Sequence, residues 1–286
     1  MSFRGFRGHL SNVRICTLNE MSKLFTRSSG SGPDLVLIHG WGLHAGVWDG
    51  FVPLLEPCFR VLQVDLPGHG GSAWSGETTL EDLAAAVLSV APPRAAWLGW
   101  SLGGLVAMRA ALLAPARVSA LLLLASTPCF VRRPGWQCAL LPALLDTFAA
   151  ELQQDYLRTL NRFLALQVRG SDNSGAVLRM LRTQLLAKGE PAPAALRAGL
   201  DILRNADLRK AIGALACPAL VVAGERDTLV PAAAAGATAA LMPDADVELV
   251  AGAGHAPFIT RPDTVACLIQ ARLLPRPDDT SGHAHA

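Results

Sequence analysis

The chain has 286 residues, of which 51% are hydrophobic and 17% are charged, and this composition allows one large domain with a sizeable buried core. Its net charge of +2 is too small to indicate nucleic-acid binding by the whole chain, and no apolar run reaches the ~18 residues that a membrane span needs. The six cysteines are scattered, without the paired spacing of a zinc site, so we expect reduced thiols in a cytoplasmic protein that uses no membrane, metal or cofactor.

The two ends of the chain do not fit a folded core. Residues 1–20 lack the apolar segment of a signal peptide, and a complete domain start follows at Met21. We expect this first segment to be an extension that is disordered or not part of the native protein. Residues 275–286 are polar and are predicted to form a disordered tail.

Short apolar runs alternate with helical patterns along most of the chain. This alternation predicts an α/β fold, in which a mostly parallel sheet carries helices on both faces. The predicted strands lie within residues 34–40, 59–70, 94–100, 118–126, 218–227 and 245–255, and the predicted helices within residues 78–90, 102–115, 231–242 and 261–274.

The alternation stops between residues 128 and 204, where no convincing strand pattern occurs. This part of the chain holds four helical patterns: LPALLDTFAAELQ, DYLRTLNRFLALQ, GAVLRMLRTQLLA and APAALRAGLDILR. We therefore predict a core formed by residues 21–127 and 205–274, with residues 128–204 inserted as a helical lid. An insertion that follows a strand lies at the carboxyl edge of the sheet, where open α/β folds bind their ligands.

The pentapeptide Gly99-Trp100-Ser101-Leu102-Gly103 lies between a predicted strand and a predicted helix. It fits the pattern G-x-S-x-G of a nucleophile elbow, in which small residues let the backbone turn sharply and lift the serine above the sheet edge. A lone serine between glycines is more often a simple turn residue. The position between strand and helix favours a catalytic nucleophile.

A serine hydroxyl needs a base, and in this type of fold an acid and then a histidine follow the serine in chain order. Asp227 and His255 each come directly after a predicted strand. Taken singly, such residues are usually a turn cap and a surface group, but their types, order and positions together predict a triad with Ser101. Glu225 is the rival acid, two residues before Asp227.

Hydrolysis of an ester also needs donors for the oxyanion. The segment HGWG, residues 39–42, follows the first long predicted strand. The backbone N–H groups of Trp41 and Leu102 are the expected oxyanion-hole donors. The alternative is a glycine-rich turn with a tryptophan packed in the core, and we expect His39 to support this loop rather than to transfer protons.

From about residue 33 to residue 274 the sequence resembles the α/β-hydrolase family. Within that family it is most similar to the branch that hydrolyses the methyl ester of a pimeloyl chain on acyl-carrier protein during biotin synthesis. The stretches that carry the resemblance are LIHGWGLHAGVW, VDLPGHG, WLGWSLGGLVA, ASTPCF, RFLALQ, LDILRNADLR and GHAPFITRP.

The resemblance implies roles for particular residues of this chain. It places the catalytic triad on Ser101, Asp227 and His255. It implies that the substrate is lined by Trp41, Leu102, Phe163, Leu164, Ala165, Leu166 and Gln167.

The resemblance also implies an acidic carrier protein as partner, received by arginines of the lid. Arg158 and Arg162 are four residues apart and Arg179 and Arg182 are three apart, so each pair shares a helix face. Two basic faces suit an anionic partner, although arginines also decorate ordinary surface helices. We expect a monomer that docks this carrier.

Two other functions remain open from the sequence. A general short-acyl esterase, a lactonase or a carbon–carbon bond hydrolase would use the same triad, because fold and triad do not set the substrate. A haloalkane dehalogenase is disfavoured because the elbow carries a serine and not an aspartate. A non-catalytic ligand receptor on the same scaffold is the third possibility.

Overall fold

A seven-stranded sheet runs through the part of the chain that the structure, a computed structural model, describes: residues 24–274, apart from the side chain of residue 186. The segments predicted as an extension (1–20) and a tail (275–286) lie outside it. The strands are β1 (Thr26–Ser29), β2 (Asp34–Ile38), β3 (Arg60–Val64), β4 (Ala95–Trp100), β5 (Val118–Leu124), β6 (Ala219–Gly224) and β7 (Ala245–Val250).

The strand order is β1-β3-β2-β4-β5-β6-β7. All neighbouring strands are parallel except β1, which is antiparallel to β3. Strands β4 and β6 are buried along their whole length, as their continuous apolar sequences predict for strands covered on both faces. The fold is therefore the α/β architecture that the alternating pattern predicts.

The first strand and the strand ends differ from the sequence prediction. β1 was not predicted, because its sequence Thr-Arg-Ser-Ser has no apolar pattern and only pairing with β3 makes it a strand. β2, β6 and β7 end at Ile38, Gly224 and Val250, several residues before the predicted limits. The residues beyond those ends form the loops that carry the candidate catalytic groups.

The helices lie close to their predicted positions. Thr79 and Asp82 form a capping box at the start of α2 (Leu80–Val90), which satisfies backbone donors that have no partner within the helix. Helix α3 (Leu102–Leu113) begins directly after Ser101 and packs against β4, β5 and α2. The helices of the core are α1 (Val52–Leu55), α2 (Leu80–Val90), α3 (Leu102–Leu113), α8 (Ala232–Ala239), α9 (Pro257–Thr260) and α10 (Pro262–Leu273).

Four further helices occupy the segment in which the sequence shows no strand pattern. They are α4 (Pro142–Gln154), α5 (Tyr156–Gln167), α6 (Ser174–Ala187) and α7 (Pro193–Asn205). The preceding loop holds two isolated bridges, between Val131 and Leu140 and between Arg133 and Trp136.

These four helices lie over the carboxyl edge of the sheet. The indole N–H of Trp41, in the loop after β2, donates to the carbonyl of Leu196 on α7 at 2.9 Å. The backbone N–H of His255, in the loop after β7, donates to the carbonyl of Gln167 at the end of α5 at 3.0 Å. The helical segment thus contacts the loops at the end of the sheet where α/β folds bind ligands.

Candidate active site

Ser101 occupies a strained turn between β4 and α3. Its φ of 55° and ψ of −118° are rarely adopted by a residue with a side chain, and such strain is often found at functional sites. A Cβ on Gly99 would lie 2.2 Å from the carbonyl oxygen of Gly103, and one on Gly103 would lie 2.3 Å from the carbonyl oxygen of Ile38. Only glycine fits at both positions, so the pentapeptide forms the tight elbow that its pattern predicts.

Ser101, His255 and Asp227 form a buried chain of hydrogen bonds. Ser101 Oγ lies 2.9 Å from His255 Nε2, and His255 Nδ1 lies 2.8 Å from Asp227 Oδ2. The three residues are exposed by only 3%, 1% and 6% respectively. Because a carboxylate only accepts hydrogen bonds, Nδ1 carries the proton, which leaves Nε2 free to accept from the serine hydroxyl.

The carboxylate of Asp227 is itself held in place by the backbone. Its Oδ1 accepts hydrogen bonds from the N–H groups of Leu229 at 2.8 Å and Val230 at 2.9 Å. The rival acid, Glu225, is exposed, and its Oε2 accepts from the N–H of Gly252 at 3.2 Å. Across residues 24–274, Asp227 is the only acid hydrogen-bonded to the imidazole of His255.

The loop that carries the expected oxyanion donors lies beside the elbow. A Cβ on Gly40 would lie 3.4 Å from the Cβ of Ser101. The backbone N–H groups of Trp41 and Leu102 donate to no other group in residues 24–274. Two unused donors next to a serine are what an oxyanion would need.

His39 supports that loop and does not reach Ser101. The N–H of Leu66 donates to His39 Nε2 at 2.9 Å, so Nδ1 carries the proton and donates to the carbonyl of Gly40 at 2.8 Å. Burial, followed by the neighbouring His69, keeps the pKa of His39 well below its usual value. A neutral imidazole with both nitrogens bonded is a structural brace.

A narrow apolar cavity opens at Ser101 and His255. In the conformation described its open volume is about 10 Å³, which is too small for a substrate. Its other lining residues come from the loops after β5 and β6 and from lid helices α4, α5 and α7, and they are Phe130, Leu140, Leu145, Phe163, Leu203 and Leu229.

Of these six lining residues, only Phe163 was predicted from the sequence, and the other five were missed. Phe130 lies in the stretch ASTPCF, and Leu229 follows Asp227 by two residues, so both carried a positional signal. Leu145 and Leu203 belong to the buried faces of lid helices, which look alike in sequence whether they face a core or a cavity.

The remaining residues expected to line the substrate are not among the residues that line this cavity. The Trp41 ring packs edge-on against the Phe163 ring, with centroids 4.8 Å apart. Leu102 and Leu164 are buried. Ala165 and Leu166 are half-buried and Gln167 is buried at the end of α5; none of these six residues lines the cavity as described.

Two of the four expected docking arginines share a groove on the outer face of the lid. The groove has a volume of about 510 Å³ and is lined by Glu151, Gln154, Asp155, Arg158, Thr159 and Arg162. Arg162 is ion-paired with Glu151 and lies over the Phe148 ring. Arg158 on α5 and Arg179 and Arg182 on α6 are exposed, and none of these three is ion-paired within residues 24–274.

The described residues hold no group of three or more His, Cys, Asp or Glu side chains that could bind a metal ion. None of the helices from residue 24 to residue 274 is long and apolar enough to cross a bilayer.

The fold and the geometry at Ser101 are those of a hydrolase of the serine type. A family model described as the alpha/beta hydrolase family matches residues 35–266, and the chain belongs to this family.

Named relatives extend this likeness over most of the chain. The pimeloyl-[acyl-carrier protein] methyl ester esterase of Nitrosomonas europaea is 45% identical over 248 residues, which cover 86% of this chain and 98% of the relative. The protein of the same name from Xanthomonas oryzae is 48% identical over 241 residues, which cover 84% of this chain and 95% of the relative. The crystal structure of a hydrolase from Pseudomonas aeruginosa matches with a TM-score of 0.79 and 27% identity, covering 93% of this chain and 100% of that one.

Proposed function

We propose that this chain is a serine carboxylesterase of biotin biosynthesis, which hydrolyses the methyl ester of pimeloyl-[acyl-carrier protein] to pimeloyl-[acyl-carrier protein] and methanol. The observation that carries the proposal is the buried hydrogen-bond chain from Ser101 through His255 to Asp227. The substrate assignment is supported by relatives of that name with 43–48% identity over most of their length.

In the first half of the reaction Ser101 is the nucleophile. His255 Nε2 takes the hydroxyl proton while Oγ bonds to the carbonyl carbon of the methyl ester. The N–H groups of Trp41 and Leu102 donate to the oxygen that becomes negative, and loss of one such donor typically costs about 2.7–4 kcal/mol of transition-state stabilisation. The proton on His255 then passes to the methoxy oxygen, and methanol leaves an acyl-enzyme.

In the second half water replaces the alcohol. His255 accepts a proton from water as the oxygen bonds to the acyl carbon, and returns that proton to Ser101 Oγ as the ester bond to the enzyme breaks. Asp227 keeps the imidazole in one tautomer and stabilises its charged form in both halves. The product is a free carboxylate at the far end of a chain whose thioester to the carrier is intact.

The apolar cavity suits the methylene chain of a pimeloyl group, because its wall is made of leucine and phenylalanine side chains beside Ser101. Residues 128–204 act as a lid over it. Because the cavity has an open volume of only about 10 Å³, its lining side chains or the lid helices that carry some of them must move when a chain enters.

The carrier protein docks on the outer face of the lid. Arg158 and Arg162 line one open groove, and acidic partners are steered by such exposed positive charge. Arg158 is the stronger candidate because Arg162 is partly neutralised by Glu151. Arg179 and Arg182 form the second basic face.

The catalytic groups of one chain suffice for this reaction, so the proposed working unit is a monomer. Cys58, Cys129, Cys138, Cys217 and Cys267 are free thiols, which suits the reducing cytoplasm where carrier-protein chemistry takes place.

A general short-acyl esterase is the second candidate, and the small closed cavity at Ser101 favours it. The discriminating experiment is growth of a biotin-requiring bacterial strain that lacks its own esterase. We expect rescue by the wild-type chain and none by Ser101→Ala. Failure of the folded, Ser101-reactive wild type to rescue growth would favour the general esterase. Failure of Ser101 to react with a fluorophosphonate would favour a ligand receptor without catalysis.

A further inference from the structure

The turn between lid helices α5 and α6 is attached to the loop of the candidate base. We define the lid turn as residues 167–173. The carbonyl of Gln167 accepts the backbone N–H of His255 at 3.0 Å, and Ser171 Oγ accepts the N–H of Gly254 at 2.9 Å. The backbone position of His255 therefore depends on where the lid turn lies.

Asp172 in the lid turn bridges an arginine of the acid loop and an arginine at the end of the short helix that follows the base loop. Its Oδ1 accepts from Arg226, the residue before Asp227, at 2.9 Å, and its Oδ2 accepts from Arg261 at 2.5 Å. Arg261 lies directly after α9, the short helix that follows the His255 loop. One carboxylate thus links the acid loop, the base loop and the lid.

The base loop is shaped to receive this carboxylate. Gly252 has a φ of +70°, and a Cβ at this position would lie 2.5 Å from Asp172 Oδ2. The carbonyl of Gly252 also accepts the backbone N–H of Asp172 at 3.1 Å. A residue with a side chain at position 252 would be strained and would collide with the carboxylate.

We propose that Asp172 is a positioning residue for the hydrolytic reaction: by pairing with Arg226 and Arg261 it fixes the loops of Asp227 and His255 relative to each other. This inference rests on the catalytic roles proposed above. Asp172 touches none of the reacting atoms and acts through the two loops.

The three charged side chains are 42%, 51% and 38% exposed. Ion pairs with this much exposure contribute little to stability because water and salt screen them. A small displacement of a catalytic base, in contrast, lowers the reaction rate strongly. Loss of Asp172 is therefore expected to reduce kcat while the melting temperature hardly changes.

The test is steady-state kinetics with p-nitrophenyl acetate, a substrate that needs no carrier protein. Asp172→Asn is expected to lower kcat about fivefold to tenfold, with KM changed less than about twofold and Tm within a few degrees of wild type. Asp172→Glu keeps the carboxylate and should recover most of kcat. Arg226→Gln should cost less activity in the Asp172→Asn background than in wild type, because the two changes share the Asp172–Arg226 pair. The 3.3 Å bond from Arg226 to the carbonyl of Gly170 is lost in both backgrounds.

Asp146→Asn is the matched control. The Asp146–Arg204 pair, at 2.8 Å, joins α4 to α7 within the lid and is exposed to a similar degree, but it touches neither catalytic loop. The NMR signal of the His255 Nδ1 proton should shift or broaden in Asp172→Asn and stay unchanged in Asp146→Asn.

An unchanged kcat in Asp172→Asn, an equal loss in Asp146→Asn, or an effect confined to KM would overturn the inference and leave the proposed function standing. If the Ser101→Ala variant hydrolysed the ester at the wild-type rate, the proposed function and this inference would both be overturned.

Discussion

Trp100, the residue before the nucleophile Ser101, is hydrogen-bonded to the backbone of His255. The indole N–H of Trp100 donates to the backbone carbonyl of His255 at 2.7 Å, and the two rings lie 5.9 Å apart. One side chain at the end of β4 thereby sets the distance between the elbow and the base loop.

Trp100→Phe should lower activity and stability together. The ring keeps most of its packing, but the buried carbonyl of His255 loses its donor, which typically costs about 1–3 kcal/mol. We expect kcat for a small ester to fall about tenfold and the urea midpoint to decrease. Trp97→Phe is the control, because Trp97 is equally buried and its indole N–H has no partner in the described residues. A kcat loss of the same size in Trp97→Phe would contradict the assigned role of Trp100.

Asp227→Asn should reduce kcat by about 10⁴ with little loss of structure. An amide at position 227 can donate to Nδ1, which favours the tautomer with the proton on Nε2 and blocks proton transfer from Ser101. Glu225→Gln is the matched control, since within residues 24–274 the carboxylate of Glu225 accepts a hydrogen bond only from the backbone N–H of Gly252. Comparable loss in both variants, measured with p-nitrophenyl acetate, would argue against Asp227 as the acid.

Much of this site follows from sequence because each catalytic residue has a local signal. Ser101 lies between an apolar strand and a helix, and Asp227 and His255 each follow an apolar run. The lid residues that line the cavity do not share this property, because the direction in which a helix face points depends on tertiary packing. The pair of Asp172 with Arg226, 54 residues apart in the chain, likewise has no local pattern that could reveal it.

Arg158→Ala should affect the carrier-bound substrate and spare a small ester. Arg158 lines the open groove on the lid and is not among the residues that line the cavity at Ser101 and His255. We expect kcat/KM for the carrier-bound ester to fall about fivefold, with a weaker dependence on ionic strength than in wild type. Arg94→Ala removes an exposed arginine next to the amino end of β4 and should change neither substrate. Equal losses on both substrates in Arg158→Ala would refute docking at this groove.

Stability should decline as the pH falls below about 6.5. Burial lowers the pKa values of His39 and His69, so below that pH the unfolded chain binds protons that the folded chain does not. Above it both states are neutral at these positions and the effect vanishes. Thermal denaturation between about pH 5 and pH 8 should show this decline.

His69→Phe should flatten that decline. The Nε2 of His69 has no partner in the described residues, and its Nδ1 donates only to the carbonyl of Pro67 at 2.9 Å. Removing the imidazole therefore removes a titrating group at the cost of one hydrogen bond. An acid dependence as steep as that of wild type would show that His69 does not contribute to it.

The most direct measurement is mass spectrometry of pimeloyl-[acyl-carrier protein] methyl ester before and after incubation with the chain. We expect the wild type to convert it to the free acid, with loss of one methyl group and retention of the thioester. Ser101→Ala should leave the substrate unchanged although the variant folds. Cleavage at the thioester, or methyl-ester hydrolysis by the Ser101→Ala variant, would contradict the proposed reaction.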